Sequence, residues 1–272
     1  MTVTEITMDH LAVASTRAWD NLIRYSYGLG GKWLGGPAND PNGDRDLLFY
    51  FCQVEFEAGT KIEILEALPK ESSDFIRRFL DRNGPGPHHY TFKVPDFAAA
   101  TKAVTDAGYD LVGVNTDDPT WNEAFLHPKQ SHGIVVQLAF QGEGNDGWVD
   151  ATQLPPSGRS VPTLARLVHL VADLNAAVAL FSGVLNMTLA EEGTDDAGRF
   201  ASLTSGPWTL RLVQPTNDVL QHWLGPRAGR LHHAAFAMDE PGSVPDAWPL
   251  GDGRYEVPPE NNLGLRLILE SK

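Results

Sequence analysis

Cysteine is almost absent from this sequence, and its scarcity excludes two kinds of structural support. Cys52 is the single cysteine in 272 residues, so the chain can form neither an internal disulfide nor a metal cage of several thiolates. The thiol lies in the apolar run 47–52, which has the composition of a β-strand. We therefore expect Cys52 to be a small buried hydrophobic residue.

Positive charge is also scarce. Lys and Arg total 21 against 35 Asp and Glu, which gives a net charge of −14. A nucleic-acid-binding protein needs a basic surface that neutralises phosphates, and no run of Lys or Arg offers one. Nucleic acid is therefore excluded as a partner, and a small-molecule substrate is expected instead.

Long apolar runs are missing as well. No stretch approaches the roughly 18 consecutive apolar residues that can span a bilayer, so no membrane partner is expected. Residues 1–9 have neither the basic region nor the apolar region of a signal peptide. Together these absences predict a cytoplasmic protein.

A repeat runs through the chain. A histidine followed by a short apolar run of strand length occurs four times, at His10, His89, His169 and His233, at intervals of 79, 80 and 64 residues. The near-equal spacing of the first three indicates duplicated units, each of which begins with a strand.

Each of the first three strands is followed by a helix signal. Ser15, Asp96 and Asp173 are residue types that cap helices, and a glycine follows each helical pattern. Behind Ser15, the inward face of the helix would include Trp19 and Leu22. Strand-like runs come next, so the repeating unit is a strand, a helix and about three strands, which predicts an α+β fold.

Two features depart from a simple repeat. An extra helix is predicted over residues 73–82, between the first two units. In the fourth unit, Pro241, Pro245 and Pro249 follow the first strand, and proline breaks helices by removing a donor and clashing with the preceding turn. This unit is therefore expected to lack its helix.

The chain between the second and third units is rich in Gly, Pro, Ser and Asp and shows no apolar period, which is typical of a linker. We predict a first module over 1–142, a linker over 143–162 and a second module over 163–272. Each module would contain two of the repeating units.

Isolated polar residues in apolar strands are the candidate ligands. Glu63 and Gln137 each stand alone in such a strand, and burying a polar side chain is costly unless it is paired or binds something. With His10 and His89 they supply two imidazoles, a carboxylate and an amide oxygen. These donors suit one divalent ion, Co²⁺, Ni²⁺, Mn²⁺, Fe²⁺ or Zn²⁺, with room for two substrate oxygens.

Two stretches of the sequence resemble a known family. Residues 86–96, GPHHYTFKVPD, are similar to the double-histidine strand of methylmalonyl-CoA epimerase, and residues 125–138 are similar to its last two strands. Residues 6–140 therefore resemble the vicinal oxygen chelate superfamily, which includes this epimerase, glyoxalase I, extradiol dioxygenases and bleomycin or fosfomycin resistance proteins. The resemblance implies tandem βαβββ units whose curved sheets surround a metal cleft.

The resemblance also implies roles for single residues. The four metal ligands of the family fall on His10, Glu63, His89 and Gln137. The fourth ligand is usually a glutamate that also moves a proton, and an amide cannot act as a general base. Glu63 is therefore the candidate base, and the second catalytic carboxylate of the epimerase falls near Asp46.

The second module departs from the ligand pattern. His169 and His233 match the first and third ligand positions, but Arg211 and Ile268 take the second and fourth. A guanidinium is permanently cationic and cannot ligate a metal. We expect this module to complete the fold or cover the site, and a second ligand pocket is the alternative.

Three functions remain open. The first is a metal-dependent isomerase, epimerase or lyase that moves a proton next to the chelated carbonyl of a small molecule with vicinal oxygens. The second is an extradiol-type Fe²⁺ dioxygenase using the same ligands, and the third is a non-enzymatic drug- or metabolite-binding protein. Paired modules come from one chain or two in this superfamily, so a monomer and a homodimer both fit.

Overall fold

The computed structural model describes residues 6–36, 49–67, 75–143 and 157–272. Within these ranges the chain forms two eight-stranded mixed sheets with short helices. This confirms the predicted α+β class and the two tandem modules. No helix in the described ranges is long and apolar enough to cross a membrane.

The first sheet contains two copies of one four-strand unit. Its strands are β1 (Thr7–Ser15), β2 (Lys32–Gly35), β3 (Phe49–Glu55), β4 (Lys61–Ala67), β5 (Gly86–Lys93), β6 (Leu111–Asp118), β7 (Trp121–Leu126) and β8 (Val135–Gln141). The hydrogen-bonded order is β2-β3-β4-β1-β5-β8-β7-β6. The two units lie side by side through their first strands, β1 and β5. In each unit the first strand pairs with the fourth, the fourth with the third, and the third with the second.

Short helices accompany these strands. They are α1 (Ala18–Ile23), which continues into a π-helical turn (Arg24–Gly28), α2 (Phe75–Asn83) and α3 (Phe97–Asp106). The helices α1 and α3 follow the first strand of their units, as predicted. The helix α2 corresponds to the extra helix expected between the units.

The second sheet repeats the plan. Its strands are β9 (Thr163–Val171), β10 (Thr188–Asp195), β11 (Gly198–Ser205), β12 (Trp208–Pro215), β13 (Gly229–Met238), β14 (Trp248–Gly251), β15 (Arg254–Val257) and β16 (Leu267–Ser271), in the order β10-β11-β12-β9-β13-β16-β15-β14. The helix α4 (Leu174–Val178) continues into a π-helical turn (Ala179–Val184), and α5 (Asp218–Leu224) precedes β13. After β13 there is only a 3₁₀ turn (Pro241–Ser243), which confirms that the fourth unit lacks its helix.

The predicted module boundaries stay predictions. Strand β8 ends at Gln141 and β9 begins at Thr163, on either side of the linker expected over 143–162. Most of that linker, residues 144–156, lies outside the described residues.

Two of the three expected helix caps are confirmed. An Asp96 carboxylate oxygen accepts a hydrogen bond from the Ala99 backbone N–H at 2.9 Å. Asp173 does the same for Ala176 at 3.0 Å. Each cap satisfies one of the unpaired donors at the start of its helix.

The expected cap at Ser15 is wrong. Arg17 precedes the first residue of α1 and makes no side-chain cap, while the Ser15 hydroxyl accepts from the Arg17 N–H, which lies before the helix begins. A carboxylate from β4 satisfies a backbone donor at the helix start instead, because Glu66 accepts from the Ala18 N–H at 2.6 Å. Trp19 is 44% exposed, so it does not join the inward face.

One compact unit of the chain includes residues 89–143 and 166–232. Inside it, His169 is fully buried, with Nδ1 3.0 Å from the Tyr90 hydroxyl and Nε2 2.8 Å from the His132 carbonyl oxygen. Because a carbonyl oxygen only accepts, Nε2 carries the proton and Nδ1 accepts from Tyr90. Burial lowers the pKa of His169 to about 4.

This burial makes the protein sensitive to mild acid. The unfolded imidazole titrates near pH 6.5, so the stabilising preference for neutral His169 is fully present above that pH and is lost as the pH falls towards 4. Between pH 7 and pH 5 the loss should be about 2 kcal/mol of unfolding free energy. The variant His169→Gln cannot be protonated, and urea unfolding at both pH values should show a smaller decrease than in the wild type.

The control for this comparison is His222→Gln on α5, where the histidine is exposed. It should keep the wild-type pH dependence. His88, whose pKa burial also lowers to about 4, is present in all three proteins and contributes equally. An unchanged pH dependence in His169→Gln would contradict the assignment.

The second compact unit contains β3 and residues 233–272. In its interior the rings of Phe56 and Phe236 meet edge to face, with centroids 4.8 Å apart. Cys52 is buried and free, as expected from the sequence. Burial, and then the nearby charge of Glu63, raise the pKa of its thiol above the usual range.

Candidate metal centre

Three neighbouring strands of the first sheet bring together His10, Glu63 and His89. The strands β4, β1 and β5 are consecutive in the sheet, and each carries one of these side chains. One potential ligand atom of each residue lies within 4.8 Å of the other two. His10 and His89 are 3% and 4% exposed, and Glu63 is half-buried. Three of the four predicted ligand positions therefore form one compact group.

His10 is oriented through both ring nitrogens. Its Nδ1 lies 2.7 Å from a carboxylate oxygen of Asp9, and its Nε2 lies 2.8 Å from the Thr91 hydroxyl oxygen. Because the Asp9 carboxylate can only accept, Nδ1 carries a proton. Thr91 gives its single hydroxyl proton to Gln137, so Nε2 donates to the Thr91 oxygen, and a bound metal would take the place of that Nε2 proton.

Glu63 is oriented by the strand beside it. Gln53 on β3 lies directly opposite Glu63 on β4 in the antiparallel register. The Gln53 amide nitrogen donates to a Glu63 carboxylate oxygen at 3.2 Å. Gln53 is itself buried, so this bond holds the carboxylate from the side of the sheet.

Gln137 connects to the group through one hydroxyl. Thr91 on β5 lies beside Gln137 on β8 in the parallel register, and its hydroxyl donates to the Gln137 amide oxygen at 2.6 Å. The Gln137 amide nitrogen donates to Glu123 at 2.8 Å. The side chain at the fourth predicted position, Gln137, is therefore linked to His10 through Thr91.

The double histidine of β5 separates into two different environments. His89 belongs to the ligand group, whereas His88 packs against α2, with its ring centroid 4.8 Å from that of Phe79. Burial is the main cause that lowers the pKa of His88 to about 4. This supports the sequence-based choice of the second histidine of the pair.

One predicted catalytic residue lies outside the described part of the chain, and two aromatic residues lie beside Gln137. Asp46 lies in the stretch 37–48, outside the described residues, and its catalytic role stays a prediction. Phe125 lies opposite Gln137 in the β7–β8 register, so both side chains share one face of the sheet. Trp121 is on the same face, four residues earlier on β7.

Four residues at this centre were not identified from the sequence: Asp9, Gln53, Thr91 and Glu123. Gln53 carried a signal, because it is a single polar residue in the apolar run 47–54. Asp9 directly precedes a predicted ligand. Thr91 and Glu123 gave no signal, because their partners lie on neighbouring strands that are distant in sequence.

The residues present fit a divalent metal ion. Two imidazoles and one carboxylate are donors for borderline ions such as Zn²⁺, Fe²⁺ or Co²⁺. A ligating histidine commonly donates its other ring N–H to a carboxylate, as His10 does to Asp9. The paired amide of Gln53 gives the Glu63 carboxylate a similar support.

The expectation that His169 takes the first ligand position of the third unit is wrong. His10 and His89 each lie eight residues before the following helix, whereas His169 lies only five before Leu174. Arg166 is the residue eight positions before α4, so a cation replaces the ligand there.

Arg211, assigned to the second ligand position, has its guanidinium group engaged by two neighbouring side chains. Its guanidinium carbon lies 3.5 Å from the ring centroid of Phe200. The same group pairs with Asp195 at 2.6 Å. This combination of a stacked ring and an ion pair serves packing in the second module.

Comparison with known proteins agrees with this architecture. Residues 9–125 match the family described as the Glyoxalase/Bleomycin resistance protein/Dioxygenase superfamily. No match was found among curated proteins.

Three solved structures are similar to the chain. A mutant of 4-hydroxymandelate synthase from Streptomyces coelicolor is 13% identical, with a TM-score of 0.65 over 97% of this chain and 92% of that one. A xylose isomerase-like TIM barrel/4-hydroxyphenylpyruvate dioxygenase fusion protein is 14% identical, with a TM-score of 0.61 over 97% and 48%. Methylmalonyl-CoA epimerase from Mycobacterium tuberculosis is 22% identical, with a TM-score of 0.43 over 52% and 93%. The first two similarities show the fold of both modules.

Proposed function

We propose that this chain is a metal-dependent enzyme, because residues 9–125 match the glyoxalase, bleomycin resistance protein and dioxygenase superfamily. His10, Glu63 and His89 would hold one divalent ion, with Gln137 as a fourth donor. The observation that carries the proposal is the approach of the three ligand atoms to within 4.8 Å of one another. The substrate would be a small molecule with two neighbouring oxygens.

The reaction we propose is that of an isomerase, epimerase or lyase. A bound divalent ion supplies Lewis acidity, which polarises a carbonyl and makes the neighbouring C–H more acidic. Glu63 would take or return the proton, because it is the carboxylate of the group and Gln53 holds it in place. Gln137 cannot do so, because an amide does not act as a general base.

A second candidate, an Fe²⁺ dioxygenase, is favoured by one observation. The grouped side chains are two imidazoles and a single carboxylate. This is the donor set with which many oxygenases hold Fe²⁺. Here Glu63 on β4 would supply the carboxylate.

Metal analysis and two assays distinguish these proposals. Inductively coupled plasma mass spectrometry should find one equivalent of a transition metal after anaerobic incubation with Co²⁺, Ni²⁺, Mn²⁺, Fe²⁺ or Zn²⁺ and dialysis. An isomerase or lyase should exchange a carbon-bound proton of an oxygen-substituted carbonyl compound with D₂O when loaded with Co²⁺. A dioxygenase should consume O₂ with a catechol or keto acid only when loaded with Fe²⁺.

Absence of metal after these incubations would contradict both enzyme proposals and favour the metal-free binding protein. Homodimer formation and a cytoplasmic location stay predictions from the sequence. Mass photometry in the presence and absence of metal would measure the assembly.

A further inference from the structure

A chain of side-chain hydrogen bonds leads from His10 across three strands to β7. The Thr91 hydroxyl lies 2.8 Å from His10 Nε2 and donates to Gln137 Oε1 at 2.6 Å. Gln137 Nε2 donates to Glu123 Oε2 at 2.8 Å. The indole N–H of Trp121 donates to the same Glu123 oxygen at 3.1 Å.

The end of this chain determines which way the Gln137 amide points. An amide side chain has a donor end and an acceptor end of nearly the same shape, so packing alone does not choose between them. An ionised carboxylate can only accept, so the NH₂ end of Gln137 must face Glu123. The oxygen end then faces Thr91 and, beyond it, His10.

Glu123 is itself held in place. In the β7–β8 register it lies opposite Ala139, while Phe125 lies opposite Gln137. Glu123 and Gln137 are therefore diagonal neighbours on one face of the sheet. Both of its hydrogen bonds fall on Oε2, and the Trp121 donor limits where that oxygen can move.

We propose that Glu123 is a positioning residue that keeps the oxygen of Gln137, and not its nitrogen, turned towards the ligand group. The proposal rests on the metal site proposed above. An amide oxygen can bind a divalent ion, whereas an amide nitrogen has no available lone pair. Without Glu123 the amide can turn round, and its NH₂ would face Thr91 and displace the hydroxyl proton from the bond to Gln137.

The arrangement also explains a difference from the family pattern. The family that the sequence resembles usually has a glutamate at the fourth ligand position, and this chain has Gln137 there. The carboxylate is present one hydrogen bond further out, on the adjacent strand.

Exchanging the side chains at positions 123 and 137 supplies a test in which a second substitution should restore the function lost in the first. Glu123→Ala removes the acceptor and should weaken Co²⁺ binding about 10- to 100-fold, as loss of an outer-shell partner does. In the double variant Glu123→Gln/Gln137→Glu, the carboxylate at position 137 accepts from both Thr91 and the new amide. Its Co²⁺ affinity and visible absorption spectrum should return to near those of the wild type.

The control is Glu192→Gln on β10, where the glutamate is exposed, and it should leave the Co²⁺ affinity unchanged. Equal Co²⁺ affinity in Glu123→Ala and the wild type would overturn the proposal. A double variant as weak as Glu123→Ala would also overturn it, because a structural defect at position 123 would not be rescued by the exchange.

A metal-free measurement separates this proposal from the metal site itself. In protein labelled with ¹⁵N at glutamine side chains, the Gln137 amide should show one strongly hydrogen-bonded, slowly exchanging N–H that Glu123→Ala abolishes. Should the wild type bind no metal, the proposed function fails while this spectrum still decides the role of Glu123. An amide spectrum that is unchanged in Glu123→Ala would overturn the positioning role whatever the metal result.

Discussion

Replacing either ligand histidine is expected to abolish metal binding. His10→Ala or His89→Ala leaves one imidazole and one carboxylate in a group of three donors, at a site without thiolates that could compensate. The loss should exceed the roughly 10- to 100-fold weakening that follows removal of an outer-shell partner. Metal content after dialysis and competition of Co²⁺ with a chromogenic chelator measure it.

The adjacent histidine is the matched control. His88 is as buried as His89 but packs against Phe79, so His88→Gln should bind metal like the wild type. Thermal unfolding of the three variants separates loss of the site from loss of the fold. If His88→Gln lost the metal and His89→Ala kept it, the assignment within the pair would be reversed.

Glu63→Gln is expected to stop proton transfer while retaining part of the metal affinity. An amide oxygen can still bind a divalent ion, but it cannot take a proton at ordinary pH. Loss of a positioned general base lowers the rate by about 10²- to 10⁴-fold. The readout is the rate of deuterium incorporation from D₂O into a carbonyl compound with a neighbouring oxygen, measured by NMR at saturating Co²⁺.

Two further variants show whether the effect belongs to the base. Gln53→Ala removes only the bond that orients Glu63 and should lower the rate less than Glu63→Gln does. Glu192→Gln changes an exposed glutamate elsewhere and should not lower it. Wild-type exchange in Glu63→Gln, with metal bound, would exclude Glu63 as the base.

The ligand group was predictable because it depends on local pattern and repetition. His10 and His89 lie at the same position of two repeated strands, eight residues before a helix. Glu63 is a charged residue between the apolar residues Ile62 and Ile64, and its burial is costly without a partner. These features are readable from single segments, and repetition relates one segment to another.

The supporting residues were not predictable in the same way. Thr91 matters because β5 pairs with β8 in the register that places it beside Gln137, and Glu123 matters because β7 pairs with β8. A register shift of one residue would turn either side chain to the other face. Such pairings depend on tertiary packing and not on the residues of one strand.

The helix starts also divide into those stabilised by a residue nearby in sequence and one stabilised by a residue distant in sequence. Asp96 and Asp173 each lie three residues before the backbone donor that they cap, so the interaction is contained in four consecutive residues. The start of α1 is held instead by Glu66, which is 48 residues away in sequence. His169 is also a histidine followed by an apolar run, so its sequence resembles that around His10 and His89. It differs from them in lying five residues, and not eight, before the following helix.

The buried cysteine makes local opening next to this centre detectable by thiol labelling. Cys52 is the single thiol of the sequence, and it lies on β3 next to Gln53 and opposite Ile64 of β4. A maleimide or disulfide reagent cannot reach this thiol while its side chain is buried, and its raised pKa keeps it un-ionised. Thiol labelling of the unmodified chain therefore reports, without any engineered probe, how often the packing around Cys52 on β3 opens.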